Sequence, residues 1–204
     1  MLNLRRSRGV SLIELMVVVT ITGIALAMAI PTFGNWIAGV RIRSTAEALQ
    51  AGLQYAKSEA TSRNTQVRFQ LTTTLDANCT LSTSGTNWVV DAVDADTTTD
   101  SVAGQCDLAP SDTTAPSILM KRANEVGNVS VLGSDSAVVF NGLGRQAVAA
   151  PATSAATVSI DITSPAGACA ASGGPITCLR LLVSPAGQVR MCNPNMASGD
   201  PQAC

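Results

Sequence analysis

The apolar residues along this chain change their period twice. From Val10 to Ile30 nearly every position is apolar, interrupted by Ser11, Glu14, Thr20, Thr22 and Gly23. A helix over that run is about 31 Å long at 1.5 Å per residue, close to the hydrocarbon thickness of a bilayer. After Pro31 the apolar positions thin to a stripe, Ile42, Ala46, Leu49, Leu53, Ala56 and Ala60, stepping by three or four residues as one face of a helix does. Arg41, Arg43, Glu47, Gln50, Gln54, Lys57 and Ser58 fall mostly off the stripe and are expected to face solvent or a neighbour. Together the two patterns predict one helix of about 80 Å from Val10 to Ser62, broken by Asn64. Pro31 lacks a backbone donor and disfavours helix at Ile30, and Gly23 weakens the same stretch, so a kink is expected in the region they bracket.

Beyond Asn64 the period becomes two. Val67, Phe69 and Leu71, then Val129 and Val131, then Val158, Ile160 and Ile162 read as half-buried strands. Further strands are expected at Trp88 to Val93, Ile118 to Met120, Ala137 to Phe140, Leu179 to Val183 and Gln188 to Met191, the last two joined by a turn at Ser184-Pro185-Ala186-Gly187. Residues 94–117, rich in Asp, Thr, Ser, Ala and Pro, read as a long exposed loop. The fold class is therefore α+β, a long helix whose amphipathic half packs on an antiparallel sheet assembly. Its expected divisions are 1–9, an apolar helix over 10–30, an amphipathic helix over 31–63 and a β-rich head over 64–204.

Charge adds direction to this picture. Arg5, Arg6 and Arg8 precede the apolar run, which orients a spanning helix with its short N-terminus in the cytoplasm and everything after Pro31 exported. Trp36, just past Pro31, suits the membrane-water boundary. The chain has six cysteines, all after the apolar run, which fits an oxidising compartment. Six cysteines allow 15 full pairings. We expect the sequential one, Cys79 with Cys106, Cys169 with Cys178 and Cys192 with Cys204, each closing a local loop; spacing leaves the others open. With no histidine and no Cys-x-x-Cys, a zinc site is not expected.

The register of basic leader, Gly9, Val10-Ser11-Leu12-Ile13-Glu14-Leu15, apolar span and Pro31 resembles the class III leader of type IV prepilins and type II secretion pseudopilins. The resemblance implies cleavage by a membrane peptidase between Gly9 and Val10, methylation of the new N-terminus, and a role for Glu14 at the fifth mature position. There the glutamate lies near the charged amine of the neighbouring subunit in a filament, which compensates an otherwise costly buried carboxylate. It also implies that the segment between Gly23 and Pro31 can unwind in filaments. Loss of the leader arginines leaves ten basic against 14 acidic residues, a formal charge of −4 in place of −1.

The helix continuation Ser44-Thr45-Ala46-Glu47-Ala48-Leu49-Gln50, with Val139-Phe140-Asn141-Gly142-Leu143-Gly144-Arg145, Val183 to Pro194 and the terminal Asp200-Pro201-Gln202-Ala203-Cys204, is similar to the H-type pseudopilin and FimT/FimU minor-pilin family. That implies a low-abundance filament subunit working with other major and minor pilins, the prepilin peptidase and the inner-membrane assembly platform. It is anchored in the inner membrane before it enters a pilus or a periplasmic pseudopilus. Three functions fit: a minor type IV pilin in assembly or at the tip, an H-type pseudopilin of type II secretion, and a DNA-binding tip pilin. DNA-binding relatives carry Gly-Arg-x-Arg near the C-terminus; here Gly187-Gln188-Val189-Arg190 keeps one arginine, with Arg180 and Arg145 as possible additions to a basic patch.

Enzymatic chemistry finds little support: the commonest general base is missing, no serine lies in Gly-x-Ser-x-Gly, and no cofactor is implied. Asp91, Asp94, Asp96 and Asp100 offer oxygen ligands for calcium but lack the glycine and glutamate of a calcium loop, so they are expected to solubilise the insertion. Trp88 is expected in the core of the head, and Lys121-Arg122 in solvent.

Overall fold

The computed structural model describes residues 9–93, 102–124, 126–148 and 154–204; within the helix the side chains of 28–32 lie outside the description. One helix, α1 (Leu12–Arg63), runs 52 residues without interruption through Gly23 and Pro31. It stops where Asn64 turns left-handed (φ 51°) and its N–H bonds back to the Ala60 carbonyl, a conformation asparagine tolerates better than most residues. Arg63 in the last turn donates to Glu59 at 2.7 Å and complements the negative helix end.

Eight strands follow. β1 (Gln66–Thr72), β2 (Asn87–Val93), β3 (Ser117–Arg122) and β5 (Ala137–Phe140) form one antiparallel sheet in the order β3-β2-β1-β5. β4 (Ser130–Gly133), β6 (Val158–Thr163), β7 (Leu179–Val183) and β8 (Val189–Cys192) form a second, in the order β4-β6-β7-β8. The alternation that marks β1, β4 and β6 in sequence does not reveal the split. Register does: Phe69 lies opposite Val90 and Val138, while Ile160 lies opposite Leu181 and Gly133.

The helical stripe is the hub of both sheets. Ile42, Ala46, Leu49, Leu53, Ala56 and Ala60 are all fully buried, in one cluster with Phe69, Trp88 and Phe140 from the first sheet and Ile160, Ile162 and Leu181 from the second. Gly52 sits where the helix presses hardest. A Cβ there would stand 2.9 Å from Phe69 Cε2 and 3.0 Å from the Trp88 ring, so only glycine lets the helix approach that aromatic pair.

The first sheet is buried on its other face as well. Val89 and Ile118 pack there with Val102, Cys79 and Cys106 in a smaller cluster closed by the Cys79–Cys106 disulfide, whose Cα atoms are 6.1 Å apart. Three expectations are corrected here. Residues 102–117 are not all exposed loop, because Val102 and Cys106 are buried. Asp91 does not solubilise an insertion: it is fully buried beside a β-bulge, accepting from Arg68 Nη2 at 2.6 Å and Gln70 Nε2 at 2.7 Å. Lys121 does not point freely into water, since its ammonium donates to the carbonyls of Cys106, Asp107 and Leu108. Asp94, Asp96 and Asp100 lie outside the described residues.

Cys169–Cys178 closes the loop around a short 3-10 turn (Ala170–Ser172), and Cys192–Cys204 ties the chain's end to β8, with Cα separations of 5.4 and 5.1 Å. Replacing Gly52 by alanine should lower stability by about 1–3 kcal/mol, the cost of overpacking, even though alanine is the better helix former. Thermal unfolding of the two proteins in the same detergent checks it; a rise in melting temperature for Gly52→Ala would contradict the packing.

Candidate assembly surface

The half of α1 that precedes the head is bare. Val10, Leu12, Ile13, Leu15, Met16, Val17, Val18, Val19, Ile21, Ile24 and Leu26 are all more than half exposed, and they point in every direction around the axis rather than along one stripe. An all-round apolar helix belongs in lipid or inside a bundle, not in water. Its two hydroxyls fit either place. Thr20 Oγ1 donates to the Met16 carbonyl and Thr22 Oγ1 to the Val18 carbonyl, each at 2.7 Å, so the helix itself hides them. Among the described residues no helix is long and apolar enough to cross a membrane. The described run from Leu12 to Ala27 is shorter than the about 20 residues a span needs, and the expected continuation to Ile30 enters the side chains that are not described.

Gly9 and Val10 precede the helix in exposed, irregular backbone, with Ser11 at the N-cap in extended conformation. Glu14 stands in the first turn, exposed, where the positive helix end favours a carboxylate. Among the described residues it takes part in no ion pair. The leader arginines lie outside the description. A charge on an otherwise apolar rod is a group that awaits a partner once the rod leaves water.

The apolar surface continues to the foot of the head. Phe33 and Trp36, both more than 60% exposed, meet edge to face at 6.2 Å. Trp36 then lines a cleft of about 630 Å³ with Val40, Pro175 and Leu179. Phe33 escaped notice in the sequence because it lies off the buried stripe, yet its spacing of three from Trp36 was a readable sign of the pair.

The three arginines proposed for a basic patch do not act alike. Arg180 on β7 faces Asp161 on β6 across the sheet and donates to it from Nε at 2.6 Å and Nη2 at 3.0 Å; that hydrogen bond raises the guanidinium's already high pKa. Its charge is therefore matched. Arg190 on β8 pairs in register with Leu182 and is exposed. Arg145 lies exposed on the loop after β5, which packs against the Ser184–Gly187 turn through the hydrogen bond from Gln146 N–H to the Pro185 carbonyl. Asp161 gave no sequence sign of this pairing, because only the strand register brings it to Arg180. Among the described residues no group of acidic or sulfur ligands is arranged to hold a metal ion.

A family model for the type II transport protein GspH matches residues 45–187, and one for the prokaryotic N-terminal methylation motif matches residues 4–30. A comparison with curated proteins finds no match. Two crystal forms of the type IV minor pilin FimU of Pseudomonas aeruginosa are similar at 21% identity. One has a TM-score of 0.48, with 80% of this chain and 94% of that chain covered; the other has 0.46, with 79% and 98%.

The two carboxylate-arginine pairs differ in burial, and that decides what they are worth. Asp91→Ala strands Arg68 and Gln70 inside the head and should cost about 3–5 kcal/mol. Asp161→Ala opens a pair whose side chains are 31% and 36% exposed and should cost no more than about 1 kcal/mol. Denaturant titration of both variants measures the difference; equal losses would refute it.

Proposed function

The chain belongs to the family of the type II transport protein GspH, and from that premise we propose that it is a minor type IV pilin, a low-abundance subunit that takes part in assembling a pilus or its tip complex. The family and the methylation motif support a subunit of the minor-pilin or pseudopilin kind. The observation that carries the reading is the bare stem: an apolar helix exposed on all sides, with one carboxylate, Glu14, in its first turn, directly after the expected cleavage site. In the precursor the stem lies in the inner membrane with the leader on the cytoplasmic side. After the peptidase cuts between Gly9 and Val10 the stem leaves lipid for a bundle of other stems, where Glu14 pairs with a neighbour's terminal amine. The head stays outside, where an oxidising compartment lets its three disulfides persist. Partners are the other pilins, the prepilin peptidase and the assembly platform.

A second reading, the H-type pseudopilin of type II secretion, has its own support, since the matching family is described by that transport role. Both readings share stem and processing. DNA capture is not favoured: Gln188 stands where DNA-binding relatives carry an arginine, and Asp161 neutralises Arg180.

Two outcomes test this. Glu14→Ala should still be cleaved yet be depleted at least tenfold from filaments sheared off the cell surface; normal recovery would defeat the proposed pairing. Deleting the gene should abolish surface pili while leaving exoprotein secretion intact, and the reverse phenotype would transfer the protein to the secretion apparatus.

A further inference from the structure

The cleft of about 630 Å³ at the foot of the head has polar groups as well as apolar walls. Its helix wall carries Trp36, Val40 and Arg43, spaced four and three apart on one face of α1. The facing wall is the stretch from Pro175 to Leu179, which the Cys169–Cys178 disulfide and the start of β7 hold in place. Arg43 is the one charged residue in the lining. Its Nε donates to Glu47 at 3.2 Å in an exposed pair of little worth, and its two Nη groups have no partner among the described residues. Asn35 and Thr177, on opposite walls, line the cleft with side chains that make no hydrogen bond among the described residues. A guanidinium, an amide and a hydroxyl beside aromatic and aliphatic walls fit a molecule with an anionic, hydroxyl-bearing end and an apolar body. No carboxylate lines the cleft to match an ammonium.

The cleft lies where the two environments of α1 meet. Phe33, Trp36 and Val40 continue the exposed apolar surface of the stem, while the buried stripe begins at Ala38. Indole favours the membrane-water boundary, so Trp36 sets the depth of this region. Arg43 stands about 10 Å farther along the axis, and helix side chains lean toward the N-terminus, here toward the lipid. Its guanidinium therefore reaches the headgroup layer, roughly 5–8 Å thick on each side of a bilayer. A surface continuous with the stem meets the stem's own solvent, which for a membrane-anchored subunit is phospholipid.

We propose that this cleft binds the headgroup of an anionic, hydroxyl-bearing phospholipid of the phosphatidylglycerol type. The phosphate lies on the Nη groups of Arg43, the headgroup hydroxyls on Asn35 and Thr177, and the ester region against Trp36, Val40 and Leu179. The inference rests on the membrane-anchored reading of the stem given above. A lipid held in this way fixes the depth and rotation of the head beside the bilayer before the subunit joins a filament.

The test places the full chain in nanodiscs of equal parts phosphatidylcholine and phosphatidylglycerol, with bromine near the ester end of the acyl chains of one lipid or the other, and reads tryptophan fluorescence. Trp88 is buried in the head, so quenching reports on Trp36. Brominated phosphatidylglycerol is expected to quench at least twofold more than brominated phosphatidylcholine. Arg43→Gln should erase that preference with the melting temperature nearly unchanged, because the pair it opens is exposed. Arg41→Gln removes the same charge about 200° around the axis, outside the cleft lining, and should keep the preference. Equal quenching by the two lipids in the unaltered protein, a preference that survives Arg43→Gln, or an equal loss with Arg41→Gln would overturn the proposal. Excess glycerol phosphate in the buffer should leave the preference intact; its loss would assign the cleft to a diffusible phosphate and overturn the lipid assignment. Alkaline washing of membranes from cells that express the chain tests the stem alone. Retention there without a lipid preference in the discs overturns only the cleft proposal, whereas release from the membrane overturns the anchored reading with it.

Discussion

One helix is asked to satisfy two solvents. Its C-terminal half buries a narrow stripe of alanine, leucine and isoleucine so completely that Ile42, Leu53, Ala56 and Ala60 have no exposed surface. Its N-terminal half exposes apolar side chains on every side. Both halves belong to a single uninterrupted element, so the head cannot settle in water without carrying an apolar rod with it. At about 25 cal/mol per Å² the rod is strongly driven to lipid or to other rods, and the rest of the molecule is arranged around that fact.

The head is built so that it does not depend on the rod. Two four-stranded sheets meet on the helical stripe, and the first is covered on its outer face by a disulfide-closed layer. The small residues on the stripe, together with Gly52, let the helix lie close to Phe69 and Trp88, while Lys57 reaches across to the Gly187 carbonyl at 2.9 Å and fastens the β7-β8 turn to the helix. The C-terminal disulfide fixes the last residues beside β8, where Asn193 N–H donates to the Gln202 carbonyl. The stripe that holds the head, Ala38 to Ala60, is a different stretch of helix from the exposed apolar stem.

Much of this was legible from residue spacing, and the failures are instructive. Every residue of the Ile42 to Ala60 stripe is buried, because a period near 3.6 reports directly on one face of a helix. The eight strands fall where strands were expected, and in β1, β4 and β6 apolar residues alternate, since period two reports on one face of a strand. What spacing cannot report is which strands share a sheet, and that is why Asp91 was misread. Its neighbours Asp94 and Asp96 suggested a solvated acidic run, whereas register opposite Arg68 on a doubly covered sheet makes it a buried ion-pair partner. Lys121 and Val102 were misjudged for the same reason, through long-range contacts with a loop whose composition looked wholly polar. The N-terminal methylation motif is legible as an ordered string of residues, and a family model matches it over residues 4–30, while cleavage after Gly9 and the pairing of Glu14 are proposals.

The chain end that faces Glu14 decides how the stem can be held in a bundle. If the stem enters a bundle with its carboxylate matched by a neighbour's amine, the subunit in the filament must begin at Val10, with the leader arginines gone. Intact-mass and N-terminal fragment analysis of the protein recovered from sheared surface filaments measures this directly. The predicted result is a chain that starts at an N-methylated Val10; a retained leader, or a start at any other residue, would contradict it.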